Sequence, residues 1–438
     1  MSIDPYKLLP RLAKFVDGFA GCFSRKKQSD HAHRYVRGLL SDARRKNIES
    51  LWGRLTDDCD YQSLQHFMTH STWEWQKVWA RVRSECPDQE GVLAIDDTGV
   101  PKQGKHSVGV HRQYSGTLGK IGNCQIIVSS VLRAPRAIWP LAMDLYLPEV
   151  WTGDQERRDG AGIPKAVSFQ TKWQIAIAQI DQVLAGGIRP SCVTADAGYG
   201  DCYEFRQAIA NRGLPFSVGV SSNFKAFATQ PSFSGPSKNT AGRPATRKKL
   251  TAASPLPVTA AEIADAASAS KWRAVTWRNG TKGKLSAQFL ILRVTPSKGW
   301  TKGRQHEECW LLCERPSKND PIRKFYLSSL PADTTRRELV RITHERWAVE
   351  HNYRQLKDEL GLDHFEGRSF SGFHRHLALT ALAYSFLERE RRRSRAKDQP
   401  TLNSIRRSTT EILTMLLFAV GERTSKMVLQ FIRDPPKF

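Results

Sequence analysis

The stretch "GVLAIDDTGVPKQGKHSVGV", residues 91–110, carries two signals that compete for it. Gly99, Gly104 and Lys105 form a near phosphate-binding loop, while Asp96 and Asp97 close an apolar run. A phosphate loop needs a strand, a glycine-rich turn, and then a helix whose N-terminal N–H groups face the anion. Here His106 replaces the hydroxyl residue expected after the lysine. The following "SVGVHRQYSGTLG", with three glycines and two valines, predicts no helix. The carboxylates therefore carry the stretch, and Lys102, Lys105, His106 and Arg112 are left to meet a phosphate backbone.

Outward from this point, strands and helices alternate. "GVLAIDDT", "NCQIIVSSVLRA" and "AIWPLAMDLYLP" predict three strands joined by short turns. "PKAVSFQTKWQIAIAQIDQVLAGG" predicts a long amphipathic helix stopped by its glycine pair. "PSCVTADAGYG" predicts a fourth strand ending in Asp196, "YEFRQAIANRG" a second helix, and "PFSVGVSS" a fifth strand. The order β-β-β-α-β-α-β predicts an α/β fold, a mixed sheet covered by helices. Residues 222–270, rich in Ser, Ala, Pro and Gly, break this order and contain Arg243, Arg247, Lys248 and Lys249. They predict a mobile or extended excursion, either draped on DNA or a solvated linker. "KWRAVTWRNG", "LSAQFLILRVTP", "EECWLLCERP" and "RKFYLSSLP" then predict an antiparallel insertion, and helices resume from residue 334.

Upstream, residues 5–86 predict helices studded with Arg25, Lys26, Lys27, Arg44, Arg45 and Lys46. Their basic faces either lie on DNA or flank a packed bundle. The cluster "ERERRRSRAK" near the C-terminus is open in the same way, to phosphate or to solvent.

A length of 438 residues predicts two or three domains. The formal net charge of +24 points to a polyanionic partner, most simply nucleic acid. Solubility needs a magnitude of only about 2–8 in a small domain. No run approaches the roughly 20 apolar residues that span a bilayer, and no secretory signal opens the chain. A cytoplasmic protein without a membrane partner is the expectation. Eight cysteines, none in a Cys-x2-Cys pair, predict reduced structural thiols rather than zinc ligands.

Asp96 closes the first predicted strand and Asp196 the fourth. Were those strands neighbours, the two acids would meet at one sheet edge. Paired carboxylates repel unless a cation lies between them, so the pair implies a divalent site; a salt bridge is the alternative for either alone. The segment "RITHERWAVEHNYRQLKDELGL" predicts one helix with Ile342, Val349, Tyr353, Leu356 and Leu360 turned inward. Arg346, Glu350 and Lys357 share an adjoining face, with Arg354 at its edge. Glu345 falls on the other side of the stripe, which makes Glu350 the expected third acid; a surface ion pair is the alternative.

With these residues in place the chain resembles bacterial DDE transposases of insertion sequences, which have an RNase H-like catalytic core. More narrowly it resembles insertion sequence family 701 of the insertion sequence 4 superfamily. "IDDTGVPKQGKHSVGVHRQYSGTLGKIGNCQ", "TADAGYGD" and "ERWAVEHNYRQLKDELGLDHFEGRS" carry the resemblance. Arg346, Glu350 and Lys357 match the spacing of the superfamily's third-acid signature, while Thr343 stands where its tyrosine belongs. The family's Asp-x-Thr pattern favours Asp96 as metal ligand, with Asp97 as the alternative. The resemblance further implies a base-stacking tryptophan on the β-insertion, for which Trp300 and Trp310 are the candidates by location.

The implied organisation is a helical DNA-binding domain over 1–88, a first core part over 89–222, and a linker with β-strand insertion over 223–333. A second core part carrying the third acid covers 334–393, and a helical C-terminal region covers 394–438. The implied activity is cut-and-paste transposition on double-stranded DNA, by metal-dependent strand cleavage and strand transfer. Asp96, Asp196 and Glu350 would hold two Mg²⁺ ions, replaceable by Mn²⁺. Arg346, Lys357, Arg354, Lys102, Lys105 and Arg112 would contact DNA. A homodimer on DNA and a nucleoid-associated location in the bacterial cytoplasm complete the expectation. The alternative is a catalytically silent DNA-binding regulator derived from a transposase.

Overall fold

The computed structural model describes residues 5–57, 59–235, 248–280, 283–395 and 398–419. Two compact units emerge, each assembled from separated stretches of chain. The first comprises 1–91, 96–189 and 348–438, and the second 92–95 and 190–347.

The first unit opens with helices α1 (Pro5–Asp17), α2 (Lys26–Leu40), α3 (Ile48–Trp52), α4 (Tyr61–Thr69) and α5 (Trp75–Ser84). Strand β1 (Val92–Pro101) is buried along nearly its whole length, as its unbroken apolar start requires of a strand covered on both faces. It runs on through Asp96 and Asp97, which corrects the expectation that these acids end the strand. Strand β2 (His111–Ser115), β3 (Lys120–Ala134) and β4 (Ala137–Tyr146) form an antiparallel meander. The sequence reasoning missed β2, because a five-residue strand with four exposed or half-exposed side chains lacks an apolar alternation. Short helices α6 (Glu149–Thr152) and α7 (Gln155–Ala161) lead to α8 (Lys172–Ala185). Helix α8 begins later than its amphipathic pattern suggests, since Thr171 and Gln174 close a capping box there.

The second unit continues with β5 (Cys192–Ala195), α9 (Ala197–Gly200), α10 (Tyr203–Ala210) and β6 (Phe216–Val220). Next come β7 (Lys225–Phe227), β8 (Phe233–Ser234), β9 (Lys249–Leu250), β10 (Val258–Thr259) and α11 (Ala260–Asp265). Residues 222–270 are therefore partly structured: β7 pairs with β10, β8 with β9, and Lys248 donates to Gln305 at 2.8 Å. Arg243 and Arg247 lie outside the described residues. The four predicted insertion strands are present as β11 (Arg273–Gly280), β12 (Gly283–Pro296), β13 (Cys309–Arg315) and β14 (Lys324–Ser328). They are not set apart. Strand β14 pairs antiparallel with β6, so they extend the sheet that starts with the parallel trio β1, β5 and β6. This is a mixed sheet, as expected. Val92, Cys192, Phe289, Leu312, Leu339 and Ile342 share one core beneath it.

The predicted 341–362 helix is two helices, α12 (Arg336–His344) and α13 (Trp347–Leu360). The cause is tertiary. Trp277 of β11 stacks on His344 at 4.2 Å between ring centroids, and the Arg278 guanidinium lies 4.2 Å from the Trp347 ring centre. These aromatic anchors, with Glu345 N–H turning back to the Ile342 carbonyl, override a weak preference for helix continuity.

The first unit resumes with α13 and ends with α14 (Phe370–Arg392) and α15 (Leu402–Ala419). Helix α14 is buried on every side from Gly372 to Leu387, His374, Arg375 and His376 included, so it forms the axis on which α2, α4, α5 and β4 pack. Its charged end is not loose: Arg391 pairs with Glu388 and Arg393 with Glu390. Of the N-terminal basic cluster, Arg44 and Arg45 are exposed but Lys46 is buried, donating to the Ser41 carbonyl. Burial pushes its ammonium well below the usual lysine range. Among the described residues no helix is long and apolar enough to cross a membrane.

Candidate active site

Asp96 is nearly buried on β1, and its carboxylate accepts from the Asp97 backbone N–H at 2.8 Å. Its own carbonyl accepts from the Tyr353 hydroxyl at 2.8 Å, which in turn accepts from Ser129 Oγ at 2.6 Å. Tyr353 thus fastens α13 to β1 at Asp96. Glu350, exposed on α13, precedes it by three residues, about 4.5 Å of helix rise.

Adjacent strand residues point to opposite faces, and Asp97 has its own partner. Lys172 at the start of α8 reaches both of its carboxylate oxygens, at 3.1 and 3.2 Å, with its ammonium 5.9 Å from the Tyr146 ring centre. Sequence reasoning missed Lys172, because the pair spans 75 residues and no local pattern announces it.

Asp196 directly follows β5 and caps α9, accepting from the Tyr199 N–H at 3.3 Å. Strand β5 runs parallel to β1, with Val92, Leu93 and Ala94 opposite Cys192, Val193 and Thr194. Gly200 lets this turn close against β6: a Cβ there would run into the Gly219 carbonyl.

The expected DNA-contacting residues divide. Lys105, Arg112 and Arg354 are exposed. Arg346 sits between α12 and α13, outside both helices, so it does not share a helix face with Glu350 and Lys357. Lys357 faces inward, donating to Thr98 Oγ1 and the Gly99 carbonyl, each at 2.8 Å, and to Thr117 Oγ1 at 3.1 Å. Lys102 donates to the Phe365 carbonyl at 2.6 Å. Burial lowers both ammonium groups from their ordinary range, opposed by Asp363 in each case.

Trp310 on β13 donates to the Pro331 carbonyl at 3.1 Å and lies under the Arg293 guanidinium. Trp300 meets Phe227 edge to face. No helix follows Lys105, so the nucleotide-loop geometry is not built. Among the described residues no three His, Cys, Asp or Glu side chains form a ready-made metal cluster.

The chain matches the family described as DDE superfamily endonuclease over residues 18–284, more than half its length, and it belongs to that family. The matched stretch includes Asp96 and Asp196 and ends ahead of Glu350. The chain is also similar to a probable transposase for insertion sequence element IS701 from Microchaete diplosiphon. The two are 28% identical over 233 residues, 50% of this chain and 57% of the relative. The chain thus spans little more than half the length of the curated relative it matches.

Proposed function

We propose that the protein is an insertion-sequence transposase that cuts and joins DNA strands by metal-dependent phosphoryl transfer, on an RNase H-like core. The observation that carries this is the family match across both Asp96 and Asp196. The parallel register of β1 and β5 supports it, since Asp96 and Asp196 each follow the paired Ala94 and Thr194 by two residues. Glu350 is the third acid, on the helix that Tyr353 fastens to the Asp96 backbone. The Asp-x-Thr pattern favours Asp96 as the ligand, and Asp97 pairs with Lys172.

Three carboxylates suit Mg²⁺, and Mn²⁺ in its place, because both favour hard oxygen donors. Without a cation the three acids repel, so their assembly is coupled to loading with metal and DNA. Such cations, when bound, would supply Lewis-acid activation of the attacking oxygen and offset charge on the leaving oxygen. Asp96, Asp196 and Glu350 would hold them. A water oxygen attacks the scissile phosphorus, the P–O3′ bond breaks, and the element end leaves with a free 3′-hydroxyl. That hydroxyl then attacks a phosphorus of the opposite strand or of target DNA, displacing another 3′-oxygen. Arg346 and Arg354 hold phosphates near the cut, and Lys105 and Arg112 contact DNA from β2 and the loop before it. The excess positive charge supplies sequence-independent affinity that falls with salt. Pairing two element ends calls for a homodimer on DNA, in the bacterial cytoplasm at the nucleoid.

The test is strand cleavage on DNA carrying the element ends, with Mg²⁺. Asp96→Asn should lose cleavage at least about a thousandfold, and Asp97→Asn less than about tenfold. Equally poor cutting by wild type and Asp96→Asn would leave a catalytically silent DNA-binding regulator as the better description.

A further inference from the structure

Strands β2 and β3 form a hairpin closed by residues 116–119, with Tyr114 opposite Ile121 across the ladder. The two side chains are 64% and 59% exposed. Tyr114 is the one exposed aromatic residue among the described residues. A cross-strand pair of this kind ordinarily faces a core, so its exposure calls for a partner.

The surroundings say which kind. From Thr98 to Met143 the sequence holds no Asp or Glu, and Lys105, His106, His111, Arg112 and Lys120 are all exposed there. An aromatic ring and an apolar neighbour within an acid-free basic surface complement a polyanion that has flat apolar faces. Nucleic acid has both, phosphates for the cations and bases for the ring. A membrane surface would call for a broader apolar face than one cross-strand pair.

The hairpin is also held in place. Lys357 joins Thr117 of its turn to Thr98 and Gly99 of β1, and Thr117 Oγ1 donates to the Gly99 carbonyl at 3.1 Å. Gly99 has no Cβ, which leaves room for Ser115 of the hairpin. The tie lies two residues from Asp96, so the hairpin is fixed to the strand that carries the first acid. Trp300 and Trp310 are already engaged with Phe227, Arg293 and Pro331.

We propose that this hairpin is a DNA-contact element in which Tyr114, backed by Ile121, stacks on an unpaired base while Arg112 and Lys120 hold the flanking phosphates. The inference rests on the DNA reading above and deepens it.

The test uses the full chain with a chelator present, so that catalysis plays no part. Fluorescence anisotropy would measure binding to a duplex of about 30 base pairs, and to the same duplex with a single-stranded gap of about three nucleotides. Wild type should prefer the gapped duplex. Tyr114→Ala should weaken binding to it about tenfold and to the intact duplex less than about twofold, and Tyr114→Trp should keep the preference. Arg112→Ala should weaken both duplexes alike and reduce the salt slope by about one. Equal affinity of wild type and Tyr114→Ala for the gapped duplex, or no gap preference in wild type, would overturn the hairpin's role. Failure of wild type to bind either duplex would instead overturn the DNA reading itself.

Discussion

The Tyr353 hydroxyl donates to the Asp96 carbonyl across 2.8 Å, joining the helix that carries Glu350 to the strand that carries Asp96. The two residues are 257 apart in sequence, and the bond is buried. Tyr353→Phe keeps the ring in the core but leaves the Asp96 carbonyl and Ser129 Oγ short of a partner. Urea denaturation should show a loss of about 1–2 kcal/mol. Single-turnover cleavage should fall about tenfold while DNA affinity stays the same, because a shifted helix misplaces Glu350 without touching DNA. Cleavage at the wild-type rate would show that the bond holds the fold but does not position the acid.

Lys357 has three acceptors in the protein, so its ammonium is a structural tie rather than a free phosphate contact. Lys357→Met should cost on the order of 2 kcal/mol of stability, since it strands acceptors in a half-buried setting. The slope of log affinity against log salt should stay within about half a unit of wild type. A direct phosphate contact would lower it by about one, and that outcome would return Lys357 to the DNA interface.

His376 is fully buried on α14, with Nδ1 beside the Tyr35 hydroxyl at 2.9 Å and Nε2 beside the Gly361 carbonyl at 3.0 Å. These partners suit a neutral ring that accepts from Tyr35 and donates to Gly361. Burial pulls its pKa down to about 4, against the pull of the two backbone carbonyls. The unfolded ring takes up a proton near 6.5, so between about 4 and 6.5 the unfolded chain binds more protons and stability falls with falling pH. The full effect is on the order of 3 kcal/mol. Thermal melts should show Tm highest above pH 7 and declining from 6.5 to 4. His376→Gln should melt lower at pH 7 but with a shallower pH dependence; an equally steep decline would place the titration elsewhere.

Much of the fold was legible along the chain. The apolar run before Asp96, the strand before Asp196 and the four strands from Arg273 to Ser328 each have a period or composition that marks a strand. Asp96, Asp196 and Glu350 could be named as candidates from the chain alone, since type, order and spacing are its properties. What stayed hidden depends on distant partners. The break at Glu345 and Arg346 comes from Trp277 and Arg278 on another element, and the occupation of Asp97 from Lys172. Strand β2 was hidden for a different reason, because its exposed Tyr114 removes the inward alternation that marks a strand.

The sequence by itself determined the alternation of strands and helices, the order and spacing of the candidate acids, and the basic excess. Local periodicity and charge are additive along a chain and need no third dimension. Only the tertiary structure decided which cations are spent inside the protein and which face solvent. It also decided that Asp97 has a lysine while Tyr353 holds the Asp96 backbone. Each of those outcomes is a hydrogen bond or ion pair between groups far apart in sequence, and its geometry exists only once the chain has closed on itself.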